Sequence, residues 1–459
     1  MSQTSFSTLS MQPNLIANLS SLGYEAMTPV QAQSLPLILE GKDVIAQAKT
    51  GSGKTAAFGL GLLEKLDVKA YHVQSLVLCP TRELADQVAK ELRRLARTLP
   101  NVKVLTLCGG MPFGPQVGSL EHGAHVIVGT PGRIEDHLNR GTLKLNHVNM
   151  LVLDEADRML DMGFQDVLDS IVSQVPKWRQ TLLFSATFPD QIKKISKRIM
   201  LKPVMVEVES THDDSSIAQH FYMVEDNEQR LIALRLLLLK HKPESTLVFC
   251  NTKKDTEEVA DKLTGFGFSA LALNGDLEQR DRDQTMVRFA NKSVSILVAT
   301  DVAARGLDID ALDAVINYHI AHDPEVHVHR IGRTGRAGSK GIACSLYRES
   351  AYKMTMLGDY IGRKIESEAL PSLELLNESV MKPMMTTLQI SGGKKQKLRP
   401  GDILGALTGE NGIAGKQVGK IQIFDNWSYV AVTRDAVATA LNKMADGKLK
   451  GRTFRVRKV

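Results

Sequence analysis

The run Met150-Leu151-Val152-Leu153 is followed at once by Asp154-Glu155-Ala156-Asp157. A strand that is apolar at every position, not at alternate ones, must be buried on both faces. A parallel sheet covered by helices on each side provides that burial. Carboxylates at the end of such a strand are placed for metal and water chemistry. Ahead of them lies Ala48-Lys49-Thr50-Gly51-Ser52-Gly53-Lys54-Thr55, between apolar Val44-Ile45-Ala46 and the helix-like run from Ala56 to Leu63. Small residues there let backbone N–H groups turn toward a phosphate chain. Lys54 would neutralise the β- and γ-phosphates, and Thr55 would bind Mg²⁺. Asp154 would hold the same Mg²⁺, and Glu155 would polarise the attacking water. Together the two segments predict a nucleotide–Mg²⁺ hydrolysis site.

At 459 residues the chain is too long for one ordinary domain. Its 43% apolar content with mixed charge suits globular domains and argues against disorder. No apolar run reaches the roughly 18 residues of a membrane span. The start, Met1 to Phe6, lacks the basic and apolar stretches of a secretory signal. Cys79, Cys108, Cys250 and Cys344 form no CxxC pair, so neither a structural metal nor a disulfide frame is expected. A reducing cytoplasm fits this cysteine usage.

Apolar strands alternate with amphipathic helices twice. The first series includes Ser75–Cys79, Val102–Leu107, His125–Val128, Met150–Leu153 and Thr181–Phe184, with a helix expected over Arg82–Thr98. The second includes Ser245–Cys250, Ala270–Leu273, Ser295–Ala299 and Ala314–Tyr318. A third unit after Pro383 reads βαββαβ, a small split-βαβ sheet. The expected organisation is α/β: parallel-sheet domains over 1–209 and 218–367, a polar linker at 210–217, a second linker at 368–384, and an α+β domain over 385–459. Residues 391–459 carry 14 Lys/Arg against 5 Asp/Glu, a net of +9, so the other 390 residues carry −3. A basic, patterned module on a near-neutral body predicts a polyanion partner.

The second half ends in His329-Arg330-Ile331-Gly332-Arg333-Thr334-Gly335-Arg336. Arg333 and Arg336 are candidate arginine fingers, reaching a phosphate across a cleft between the two parallel-sheet domains.

Over about residues 6–365 the chain resembles the DEAD-box RNA helicases, whose motifs stand here in order. Gly23-Tyr24-Glu25-Ala26-Met27-Thr28-Pro29-Val30-Gln31 resembles the adenine-reading motif. The resemblance implies ATP as the nucleotide, with Gln31 bonding adenine, Tyr24 stacking on it and Phe6 at the upstream aromatic position. It implies two RecA-like domains. It also implies a phosphate cradle of Ala48, Lys49, Thr50, Gly51, Ser52 and Gly53, with Asp308 among the further ATP contacts. Pro80, Thr81, Arg82, Gly109, Gly110, Thr130 and Arg133 match RNA-backbone contacts, which hold a strand without reading bases. Ser185 and Thr187 match the motif coupling hydrolysis to strand separation. In the second domain, Phe249–Thr252, Gln279–Arg282 and Ala299–Asp308 match further RNA and ATP motifs.

The C-terminal unit resembles the RRM-like domain of a bacterial branch of this family. That resemblance implies targeting to a hairpin of 23S-type ribosomal RNA and a role on large-subunit precursor particles. Lys394, Lys395, Lys397 and Arg399 are the first candidates for RNA contact there. Trp427 and Tyr429 are the second, as stacking aromatics of a central strand. A general RNA-remodelling helicase, and an ATP-gated RNA clamp that does not unwind, are the alternative readings.

Overall fold

A computed structural model describes residues 5–48, 51–208, 217–304, 312–335, 340–348, 351–447 and 449–459. They form three sheets. The first contains β1 (Val44–Gln47), β2 (Ser75–Leu78), β3 (Val104–Leu107), β4 (Val126–Gly129), β5 (Met150–Asp154), β6 (Gln180–Ser185) and β7 (Val204–Glu207). Its order is β3-β4-β2-β5-β6-β1-β7, and the described pairings are parallel. β2, β4, β5 and β6 are buried at every position. The reason is two cores. Val77, Val128, Val152 and Leu182 pack into one. Leu76, Ile127, Leu151 and Leu183 pack into the other. The helix Arg82–Leu95 shows how a covering element forms. The Thr81 hydroxyl accepts from the Leu84 N–H, and Leu84, Ala85, Val88, Ala89, Leu92 and Leu95 make one buried stripe. Burying each Leu or Val of that stripe contributes about 1.5–3 kcal/mol.

The second sheet contains β8 (Ile217–Met223), β9 (Thr246–Phe249), β10 (Ala270–Leu273), β11 (Ile296–Ala299), β12 (Ala314–Asn317) and β13 (Gly341–Tyr347). It is parallel in the order β10-β11-β9-β12-β13-β8. Of the expected first linker, Ile217 opens β8 and the rest lies outside the described residues. The stretch expected as the second linker, 368–384, does not hang free. Its Glu368 N–H donates to the Phe221 carbonyl at 2.8 Å, and its carboxylate lies 2.7 Å from His220 Nδ1. Leu370, Leu375, Leu376 and Val380 pack on the second domain's core. Apolar side chains recurring along the segment account for the difference.

His327, in the helix Pro324–Ile331, is 1% exposed, and neither ring nitrogen has a hydrogen-bond partner. Burial, helped by the charges of Arg330 and Arg363, lowers its pKa from 6.5 to about 4. The unfolded chain therefore binds the proton more readily. The stability due to the neutral ring is present above pH 6.5 and is lost as pH falls toward 4. A shift of this size corresponds to at most about 3 kcal/mol. His327→Leu should flatten the fall in unfolding free energy between these pH values, measured by urea titration. An unchanged slope would refute the assignment.

The third sheet is antiparallel: β14 (Met385–Ile390), β15 (Val418–Ile423), β16 (Ser428–Thr433) and β17 (Val456–Lys458), in the order β15-β16-β14-β17. Leu388, Ile390, Val430 and Val432 pack on Ile403 and Leu407 of one helix and Ala440 and Met444 of another. β17 is short, with three residues paired to β14. The first sheet and its helices form one compact unit, and the second and third sheets share the other.

Candidate nucleotide and RNA sites

Parallel strands end on one edge, and loops at that edge carry the candidate residues. β5, β6 and β1 are neighbours, so the carboxylates after β5, Ser185–Thr187 after β6 and the glycine-rich loop after β1 converge. The Ala48 N–H donates to the Ser185 carbonyl at 3.0 Å. Gly51 and Gly53 adopt left-handed backbone, with φ of 84° and 92°. A Cβ on Gly53 would lie 2.5 Å from Gln31 Nε2 and 3.1 Å from Thr28 Oγ1. Gln31 uses both ends of its amide. Its Oε1 accepts from the Thr28 N–H at 2.9 Å, and its Nε2 donates to the Gly53 carbonyl at 3.1 Å. The adenine-motif glutamine is thus joined to the phosphate loop. Lys54 opens the next helix and is buried, its Nζ donating to the Ala48 carbonyl at 2.9 Å. Lys49 and Thr50 lie outside the described residues.

Asp154 is 2% exposed, and its Oδ1 is buried with no hydrogen-bond partner. Burial pushes its pKa from 3.8 to about 7, with the Lys54 charge pulling the other way. Such an orphaned carboxylate oxygen suits a cation. Glu155 has φ 52° and ψ 52°, a left-handed conformation that costs a non-glycine residue roughly 1–2 kcal/mol. Its carboxylate is buried 2.8 Å from Arg158 Nη1. Sequence reasoning missed Arg158, and it missed the part played by Asp157. Asp157 Oδ2 accepts from the Ala186 N–H at 3.2 Å, the Thr187 N–H at 3.0 Å and the Thr187 hydroxyl at 2.9 Å. The Asp157 N–H donates to Ser185 Oγ at 3.3 Å. Its place in the acidic run was the available signal.

Tyr24 lies against the helix Arg82–Leu95. Its hydroxyl donates to Glu91 at 2.6 Å, the Arg94 guanidinium is 5.7 Å from its ring centroid, and Phe6 meets it edge-on at 6.2 Å. Burial and the Glu91 carboxylate raise the phenol pKa.

The candidate RNA contacts occupy the other half of the same edge, after β2, β3 and β4, which are also neighbours. Gly110 has φ 72°, and a Cβ there would overlap the Arg82 guanidinium. Arg133 Nη1 donates to the Met111 carbonyl at 3.1 Å, and the Thr130 N–H donates to the Leu107 carbonyl at 3.2 Å. Arg82, Gly109–Gly110, Thr130 and Arg133 are therefore assembled. Pro80 and Thr81 lead into them from β2.

In the second domain Arg333 is buried just past the helix Pro324–Ile331, while Asp308 and Arg336 lie outside the described residues. Arg330, three residues earlier, is the best-connected side chain of this region and was not singled out from sequence. It pairs with both Asp301 oxygens at 2.7 Å. It also donates to Asn317 Oδ1 at 3.2 Å, the His319 carbonyl at 2.6 Å and Asn251 Oδ1 at 3.1 Å.

In the third domain Lys394, Lys395, Lys397 and Arg399 are all exposed. Their backbone is fastened. The Lys394 and Lys395 N–H groups donate to the Phe424 and Asp425 carbonyls at 2.8 and 3.0 Å. Tyr429 corrects an expectation. It is 0% exposed, its hydroxyl accepts from Gln389 Nε2 at 3.1 Å, and Phe424 meets its ring edge-on, so it presents no face for a base. Trp427 is half-buried, with the Arg280 guanidinium 5.2 Å from its ring centroid.

Among the described residues no helix is long and apolar enough to cross a membrane. The chain matches the DEAD/DEAH box helicase family over residues 28–195, the helicase conserved C-terminal domain over 228–338 and the DbpA RNA binding domain over 387–458. It is 55% identical to the ATP-dependent RNA helicase DbpA of Escherichia coli (strain K12) across 99% of both chains. It is 47% identical to the DEAD-box ATP-dependent RNA helicase CshA of Geobacillus kaustophilus over 74% of this chain and 73% of that one. The solved structure of S. cerevisiae Dbp5 bound to RNA and ADP BeF3 matches with a TM-score of 0.72 and 30% identity, over 80% of this chain and 96% of that one. The chain belongs to the DEAD-box ATP-dependent RNA helicases, with a C-terminal RNA-binding domain of the DbpA type.

Proposed function

We propose that this helicase remodels ribosomal RNA during large-subunit assembly in the cytoplasm, brought to a 23S-type hairpin by its C-terminal domain. The observation that carries the targeting is the third domain itself. It is a folded module of the DbpA type, with four exposed cations on one fastened turn. A loose basic tail would give salt-sensitive binding without selection. A folded module adds shape and base readout.

In the hydrolysis step, backbone N–H groups of the glycine-rich loop that ends at Gly53 and the Lys54 ammonium hold the phosphates of ATP. Lys54 leaves the Ala48 carbonyl to do so. Thr55 and the orphaned Asp154 oxygen would hold Mg²⁺, which when bound neutralises phosphate charge. Glu155 orients the attacking water, and Arg333 and Arg336 complete the site when the two RecA-like domains close on RNA. Asp157 links this site to Ser185–Thr187. Movement at the carboxylates therefore reaches the coupling motif through three hydrogen bonds to one oxygen.

Deleting residues 384–459 should leave a core whose ATPase is still stimulated by any RNA at high concentration, with no preference for ribosomal RNA. Replacing Lys394, Lys395, Lys397 and Arg399 together by Ala should remove most of the same preference. The measurement is the half-maximal RNA concentration for stimulation, ribosomal against arbitrary RNA. Equal values in the full chain, or a preference kept by the core, would overturn the targeting. ATPase that needs no RNA would overturn the closure step. Strand separation on a targeted duplex distinguishes a helicase from a clamp.

A further inference from the structure

His137 is 0% exposed, in the helix Pro131–Asn139 that begins beside the candidate RNA contacts Thr130 and Arg133. Buried ring nitrogens cost stability unless they are bonded, and here both are engaged. Nδ1 lies 2.8 Å from Thr142 Oγ1, and Nε2 lies 3.2 Å from Gln116 Oε1. Gln116 is itself buried, in the helix Phe113–Glu121, and its Nε2 donates to the Cys108 carbonyl at 3.1 Å. That last contact fixes the protons. A carbonyl oxygen only accepts, so the Gln116 amide turns its NH₂ to Cys108 and its oxygen to His137. His137 Nε2 must then carry the hydrogen. Burial lowers the ring's pKa, and the Arg133 charge acts in the same direction. The Phe113 ring stacks on the imidazole, with centroids 4.2 Å apart and planes 18° apart.

We propose that Gln116 and His137 are positioning residues for RNA: His137 orients the Gln116 amide, and that amide holds the pair Gly109–Gly110 in the shape that meets a phosphodiester backbone. The pair sits in a loop fastened at both ends. Gln116 takes the Cys108 carbonyl on one side, and Arg133 Nη1 takes the Met111 carbonyl on the other, each at 3.1 Å. Between them the Arg82 guanidinium packs against the glycines, where a Cβ on Gly110 would overlap it. Gly110 has φ 72°, and glycine populates either sign of φ about equally when nothing holds it. Two glycines in a row are therefore costly to order. Fixing them in the free protein moves that cost from RNA binding to folding, which raises affinity. Gln116 and His137 are 8% and 0% exposed, so neither offers RNA a surface of its own. They act through the Cys108 carbonyl, and their effect belongs to RNA affinity, not to the hydrolysis step.

This inference rests on the reading of Gly109–Gly110 as an RNA contact, and two measurements separate their failures. His137→Phe keeps a ring to stack on Phe113 and removes both hydrogen bonds. Gln116→Met keeps the length of the side chain and removes the donor to Cys108. Each should raise the half-maximal concentration of single-stranded RNA for ATPase stimulation several-fold. Turnover at saturating RNA and the half-saturating ATP concentration should stay at the parent values. Because the two residues act in series on one carbonyl, the double variant should be no worse than Gln116→Met alone. His137→Gln, whose amide can still donate to Gln116, should recover most of the loss. Without RNA, backbone hydrogen exchange at residues 109–111 should be faster in both single variants than in the parent. Gln116→Met carries the test alone should His137→Phe fail to fold. An unchanged half-maximal RNA concentration in Gln116→Met, additive effects in the double variant, or a fall in RNA-saturated turnover and thermal stability with RNA affinity kept would overturn the positioning role. The second measurement is exchange of the same loop in the parent with single-stranded RNA and a non-hydrolysable ATP analogue. If the loop gains no protection, the RNA contact itself fails, and the RNA-free exchange rates still decide whether Gln116 and His137 hold the loop.

Discussion

Glu155→Gln is expected to leave ATP binding intact and to lower RNA-saturated turnover by about 10²–10⁴-fold, the span of a lost general base. Glu155 follows β5 directly, in a left-handed conformation held by its buried pairing with Arg158. Strain of that kind persists only where the surroundings enforce it. Gln preserves the shape, and its amide oxygen can still accept from Arg158 Nη1. The phosphate contacts belong to other residues, so nucleotide affinity should hold. What goes is the negative charge proposed to polarise water. ATP affinity by fluorescence titration and turnover at saturating RNA, with thermal unfolding to show that the fold is kept, give the answer. A Glu155→Gln protein that turns over at the parent rate would remove Glu155 from the chemistry.

The core of the first domain was readable because its strands are apolar without alternation. Met150–Leu153 and Thr181–Phe184 are buried on two faces, and no other placement satisfies such runs. The glycine-rich loop was readable because Gly53 and Lys54 are chemically particular. Strand order was not readable, since period and composition do not say which strand lies beside which. The separation of candidate nucleotide residues (after β5, β6 and β1) from candidate RNA residues (after β2, β3 and β4) along one edge came only with the fold. The same limit hid Asp157. Its partners Ala186 and Thr187 are about thirty residues away, and nothing in an acidic run says which carboxylate faces inward.

The third domain shows another limit. Thr387 and Gln389 alternate with Leu388 and Ile390, a pattern that reads as one wet face and one dry face. A polar domain interface has the same composition as a wet surface. Tyr429 therefore looked like a stacking platform, yet it is fully buried. The basic turn was legible for a simpler reason: Lys394, Lys395, Lys397 and Arg399 cannot be buried without partners, so exposure follows from their charge.

Arg330→Lys should destabilise the second RecA-like domain by about 1–3 kcal/mol, the usual effect of leaving buried hydrogen-bonding groups unsatisfied, because the charge is kept but the planar fork is lost. The guanidinium is 2% exposed and makes five hydrogen bonds at once, two of them to Asp301. A lysine ammonium has three donors and no planar fork. Some of Asn251, Asn317, the His319 carbonyl and Asp301 would then be left unsatisfied. These groups stand at or after the ends of β9, β11 and β12, so the loss loosens the edge that carries this domain's helicase motifs. Arg333 is three residues on, and its N–H donates to the Arg330 carbonyl at 3.2 Å. RNA-stimulated ATPase should fall along with stability. Asp301→Asn removes the acid of the pair, so the double variant should cost clearly less than the two single changes together. Urea unfolding of the four proteins measures that coupling. Additive losses, or an Arg330→Lys protein as stable and as active as the parent, would show that Arg330 does not hold this edge.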